Sequence, residues 1–174
     1  MPRILIVTGE ASGDLHGAHL VKALKELSPA LQIVGVGGAS MRAAGAELVK
    51  DIPQLDVMGL IGLSAVKTML QRISRIRTLI KGERWDLVVL IDNPGLNFHF
   101  ARVARACGLK VLYYIAPQVW AWRRGRMRWI QQRVDHVLAI LPFEEPLYKK
   151  AGVRCTFVGN PLLDEVAPLY DRQA

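Results

Sequence analysis

The stretch that most constrains this chain is ILIVTGEASGDLHG, residues 4–17. Its apolar run, 4–7, is too short for a helix and stops at Gly9, so it reads as a strand buried on both faces. The small-residue turn 9–13 leads into segment 14–27, where Leu15, Ala18, Val21 and Leu24 recur at helical spacing. A strand, a glycine turn and a helix make a βα unit, the building block of a parallel sheet. In open α/β sheets ligands collect at the carboxyl ends of the strands, where helix N-termini offer unpaired N–H groups and a positive dipole end. Glu10, Ser12 and Asp14 therefore stand at a predicted site.

The glycines of the turn exclude the commonest occupants of such a site. Gly9, Gly13 and Gly17 are spaced by four, so the dinucleotide pattern G-x-G-x-x-G is absent. The second strand, 32–36, runs into Gly37 and Gly38 with no acid placed to hold a ribose, which argues against NAD. No Walker pattern occurs, so a P-loop nucleotide site is disfavoured as well. His16 and His19 stand three apart without a third ligand, and His99 and His136 are isolated, so no metal is expected. Cys107 and Cys155 lack C-x-x-C or zinc spacing and read as small core residues of a reducing compartment. The expected cofactor set is empty.

Strand and helix patterns alternate along the rest of the chain. A short helix over 39–44 is followed by an edge strand at 47–49 and a glycine-interrupted apolar loop that becomes a helix from about Leu63. Val66, Met69, Leu70, Ile73, Ile76 and Ile80 share one face of that helix, with Lys67, Arg72 and Arg75 away from it. Two readings fit: a sheet-covering helix with a solvated basic back, or a helix whose start dips into a membrane interface through Met58, Leu60, Ile61, Leu63, Val66, Met69 and Leu70. Further strands are predicted at 87–91, 110–115, 135–141 and 156–158, with helices at 97–106 and 144–151. The pattern predicts one doubly wound, mainly parallel, Rossmann-like α/β domain over 1–174. Asp92 and Asn93 end the fourth strand, placed either over the same crevice as Glu10 and Asp14 or as caps of the next helix.

The formal charge is +8 over 174 residues, and the excess is concentrated. Segment 66–85 holds six basic residues against Glu83 alone, and segment 120–133 holds Arg123, Arg124, Arg126, Arg128 and Arg133 with no acid. Trp120, Trp122 and Trp129 interleave with those arginines. Aromatic rings and guanidinium groups together suit stacking on a sugar or base and a bidentate grip on phosphate. Phosphate-bearing partners are implied; RNA is disfavoured, because no RRM, KH or helix-turn-helix pattern is present. No apolar run approaches the ~20 residues that cross a bilayer, and a cytoplasmic protein is expected.

Six segments carry a family resemblance: GEASGDLHGAHL (9–20), GVGGASMRAAG (35–45), IDNP (91–94), APQVWAWRRGR (116–126), ILPFE (140–144) and FVGNPLLDEV (157–166). In this order they resemble the amino-terminal half of the lipid-A-disaccharide synthase family. Gly95-Leu96 departs from a frequent Asp-Phe, and Asn160 from a frequent histidine. The resemblance implies one half of an inverting GT-B glycosyltransferase that joins UDP-2,3-diacylglucosamine to 2,3-diacylglucosamine 1-phosphate and releases UDP. It implies a peripheral enzyme of the inner membrane leaflet in lipopolysaccharide biosynthesis. This chain would be the acceptor-binding domain, with the UDP-sugar-binding carboxyl-terminal domain supplied elsewhere and the chain alone inactive. Asp92 would be the base, with Glu10 or Asp14 as substitutes. Ser12, Gly13, Asn93 and Asn97 would orient acceptor hydroxyls, Trp120 would line the acceptor site, and Arg123 or Arg124 would meet phosphate. A non-catalytic lipid- or membrane-surface-binding domain is the alternative.

Overall fold

A computed structural model describes residues 1–50, 52, 63–116 and 124–163, with side chains described at all of these except 63–65, 124 and 126. The strands are β1 (Arg3–Thr8), β2 (Gln32–Val36), β3 (Glu47–Leu48), β4 (Leu87–Ile91), β5 (Val111–Tyr114), β6 (His136–Ala139) and β7 (Cys155–Phe157). The helices are α1 (Ala11–Leu27), α2 (Ala39–Ala43), α3 (Leu63–Gly82), α4 (Pro94–Ala106), α5 (Arg124–Arg133) and α6 (Glu144–Lys150). The seven strands of the described residues lie in one sheet in the order β3-β2-β1-β4-β5-β6-β7, and every pairing is parallel.

Alternation along β1 divides the core in two. Leu5 and Val7 join Ile76, Ile80, Phe100, Ile130 and Tyr148 on the face covered by α3, α4, α5 and α6. Ile4 and Ile6 join Ala18, Val21 and Met41 on the face covered by α1 and α2. Strands buried on both faces explain the continuous apolar runs seen in sequence. Helices on both faces also make the sheet doubly wound, as the sequence predicts.

Two helices begin earlier than their periodicity suggests. The α1 helix starts at Ala11 and α4 at Pro94, where proline at the first position costs no hydrogen bond and the Asn93 side chain accepts from the Leu96 amide at 3.3 Å. The buried face of α3 also differs from the one its periodicity predicts. Its inward line is Arg72, Ile76 and Ile80, four apart, flanked by Ile73 and Leu79, whereas Val66, Met69 and Leu70 are exposed at 51%, 37% and 58%. Length is the reason: twenty residues of helix span about 30 Å, and a five-residue strand about 17 Å. The helix therefore overhangs the sheet. Arg72 marks the level of the strand ends, its Nη2 donating to the carbonyl of Thr8, the last residue of β1, at 3.0 Å.

Candidate active site at the β1–β4 switch point

From β1 the chain moves outward to β2 and β3; from β4 it moves the other way to β5, β6 and β7. The loops leaving β1 and β4 thus diverge, and they open a crevice at the carboxyl ends of these two neighbouring strands, the usual ligand position in an open α/β sheet. Thr8 pairs with Ile91, and Ile91 with Tyr114, so the strand ends form one level rim. Glu10 stands on one side of the crevice and Asp92 and Asn93 on the other.

The two sides are joined. Asn93 Nδ2 donates to Glu10 Oε1 at 3.3 Å, and the Asn93 side chain fills the space where a Cβ on Gly9 would stand. This close approach explains the glycine that ends the first apolar run. Glu10 and Ser12 are exposed, Asp92 and Asn93 are half-buried, and Gly13 is buried against Thr8. Residue 92 is therefore not sealed in the core, and its neighbour Asn93 reaches across to Glu10.

Backbone strain collects here. Asp92 has φ 51°, Asn93 φ 37° and Ile115, at the end of β5, φ 55°. Left-handed values are uncommon for residues with a Cβ, and such strain concentrates at functional sites. The Asp92 peptide is fixed at both ends: its N–H donates to Tyr114 O at 3.2 Å, while its carbonyl accepts from the Tyr113 hydroxyl and from Asn97 Nδ2, both at 2.7 Å. Tyr113 is wholly buried. Burial first, and the nearby Asp92 charge second, push its phenol far above the ordinary tyrosine range, so it stays a donor. Neither Tyr113 nor Arg72 stands out in sequence. The first sits inside a strand run, VLYY, and the second resembles its solvated basic neighbours. Burial is what lowers the affinity of the Arg72 guanidinium for its proton.

Several predicted site residues are occupied elsewhere. The Asp14 carboxylate, 9% exposed, accepts from the amides of Gly38 at 2.6 Å, Ser40 at 3.0 Å and Met41 at 3.2 Å, which caps α2. These three bonds hold Asp14 as the cap of α2, a structural role distinct from that of a substitute base. Asn97, 1% exposed, donates to the carbonyls of Ile91 at 2.9 Å and Asp92 at 2.7 Å, so its Nδ2 holds backbone. Trp129 packs on Phe98 at 4.2 Å under the Arg133 guanidinium, which takes it out of the proposed stacking surface. Trp120, Arg123, Met58, Leu60 and Ile61 lie outside the described residues, as do the side chains of Arg124 and Leu63. Among the described residues no cluster of three or more His, Cys, Asp or Glu could hold a metal ion, and no helix is long and apolar enough to cross a membrane.

Comparison with solved structures shows the same architecture. The S. aureus MnaA-UDP co-structure superposes with a TM-score of 0.68 at 16% identity, over 100% of this chain and 48% of that one. A crystal structure of UDP-N-acetylglucosamine 2-epimerase gives 0.69 at 13% identity, over 99% and 52%. Acinetobacter baumannii MurG gives 0.57 at 13%, over 92% and 46%. At these identities the likeness establishes the fold alone, a Rossmann-like domain of the kind found in GT-B glycosyltransferases and epimerases. Closer relatives are lipid-A-disaccharide synthases. That of Geobacter metallireducens is 48% identical over 171 residues, 98% of this chain and 44% of its own length. That of Syntrophus aciditrophicus is 48% identical over 173 residues, 97% of this chain and 44% of its own. The chain thus spans less than half the length of the curated relatives it matches. The family model for lipid-A-disaccharide synthetase matches residues 4–174, which include both sides of the β1–β4 crevice. The chain belongs to the lipid-A-disaccharide synthetase family.

Proposed function

We propose that this chain is the acceptor-binding half of an inverting glycosyltransferase. The enzyme joins UDP-2,3-diacylglucosamine to 2,3-diacylglucosamine 1-phosphate and releases UDP. Asp92 is the base. Its carboxylate takes the proton from the acceptor hydroxyl as that oxygen attacks the sugar C1 from the face opposite UDP; the new C–O bond forms as the C1–O bond to UDP breaks. Asn93 and the Glu10 carboxylate, joined across the crevice, orient the acceptor, and the helix N-termini at the rim favour its negative charge. The observation that carries this reading is a half-buried Asp92 held in a strained turn at the switch point of a chain of this family.

The remaining half of the relatives' length supports a second domain that holds the UDP-sugar, so the 174-residue chain alone is inactive. The overhanging start of α3 is the contact with the membrane surface. Val66, Met69 and Leu70 are already exposed beside Lys67, and partial insertion of each large apolar side chain contributes about 1 to 2 kcal/mol, with about 1 kcal/mol per nearby basic residue. That sum permits reversible docking.

Asp92→Asn in the full-length protein is the test. General-base catalysis is worth about 10²- to 10⁴-fold, so turnover should fall by at least a hundredfold while the acceptor still binds. Turnover near that of the unsubstituted enzyme removes Asp92 from the mechanism.

A further inference from the structure

Among the described residues, the hydrogen bonds around Asp92 serve its backbone. Its carbonyl oxygen has two lone pairs, and both are taken at 2.7 Å by donors from different elements, the Tyr113 hydroxyl on β5 and the Asn97 amide on α4. We infer that these two side chains form a clamp that holds residue 92 in its left-handed conformation and so aims the carboxylate into the crevice, which makes Tyr113 a positioning residue. The inference rests on the reading of Asp92 as the base.

Three observations support it. First, two consecutive residues with Cβ atoms, Asp92 and Asn93, hold positive φ, and such a turn persists only where its surroundings over-determine it. Second, the Tyr113 hydroxyl is buried in an apolar core that a phenylalanine ring would fill equally well, beside Phe98 in edge contact at 6.5 Å. A buried hydroxyl is unfavourable unless bonded; this one donates to the Asp92 carbonyl and also meets the Asn97 side chain, the other half of the clamp. Third, Asn97 donates to the carbonyls of both Ile91 and Asp92, so the clamp locks the turn to the strand that delivers it. Without the hydroxyl, residue 92 relaxes toward negative φ, and its carboxylate is no longer held in one direction.

The test compares Tyr113→Phe with Asn97→Ser in the full-length enzyme, each alone and combined with Asp92→Asn. In Tyr113→Phe the acceptor KM should stay within twofold and kcat should fall ten- to a hundredfold, the scale of a catalytic group displaced by about 1 Å. Combined with Asp92→Asn, the same substitution should cost less than a further twofold, because it acts only through residue 92. A crystal structure of either variant should show residue 92 out of the left-handed region. Unchanged kcat, a full additional loss in the Asp92→Asn background, or φ remaining near its present value in both variants overturns the clamp. Asp92→Asn with undiminished turnover refutes the base reading instead, and the φ value in the variants still decides whether the clamp holds the turn.

Discussion

Asp14 offers the sharpest separation of a structural carboxylate from a chemical one. Asp14→Ala removes an anion that serves three amides of the α2 N-terminus from a position only 9% exposed. Loss of an N-cap costs about 1 to 2 kcal/mol, and hydrogen bonds to a charged group contribute about 1.5 to 3 kcal/mol. Because water reaches this site poorly, the total should be about 3 kcal/mol. Asp14→Asn keeps one oxygen for the Gly38 and Met41 amides, loses the charge and turns a donor toward the Ser40 amide, for about half that cost. At about 2 to 4 °C per kcal/mol for a chain of this size, Tm should fall by about 6 to 12 °C for alanine and about 3 to 6 °C for asparagine. Urea unfolding followed by circular dichroism should give a lower midpoint at unchanged m-value. In the full-length enzyme Asp14→Asn should retain turnover within about threefold. The reasoning fails if alanine costs less than about 0.5 kcal/mol, or if asparagine abolishes turnover in a protein that remains folded and binds acceptor.

Two further outcomes can be checked. Replacing Val66 and Leu70 together with aspartate should weaken binding to anionic vesicles by about a hundredfold, read by flotation, with little change in Tm because both side chains already face solvent; unchanged flotation removes the α3 overhang as a membrane contact. The Glu145 carboxyl is held below its usual range by Lys149, hydrogen-bonded at 2.5 Å, and then by the Phe157 amide at 3.1 Å. A depressed acid stabilises the fold above its unfolded pKa and loses that contribution as pH falls through its folded value. Glu145→Gln should therefore lower Tm at neutral pH, with the difference closing below the ordinary carboxylate range in a thermal-melt series.

The sequence by itself determined the architecture, because the signals for it are local. Apolar runs too short for helices, such as 87–91, are legible as doubly buried strands, and the glycine turn after the first identifies a βα unit. Asp92 and Asn93 were likewise legible as strand-end residues. Which side chains face the crevice was decided by the tertiary structure, since that depends on partners distant in the chain. Asp14 looks like a site residue until α2 arrives from 24 residues away to claim its oxygens. Asn97 looks like a ligand donor until β4 turns its carbonyls toward it. Arg72 shares its residue type with exposed neighbours, and only the strand end beside it makes it a buried strut. Helical periodicity reports which face is apolar, but not how far a helix outruns the sheet it covers; sheet length sets that, and the exposure of Val66, Met69 and Leu70 follows from it.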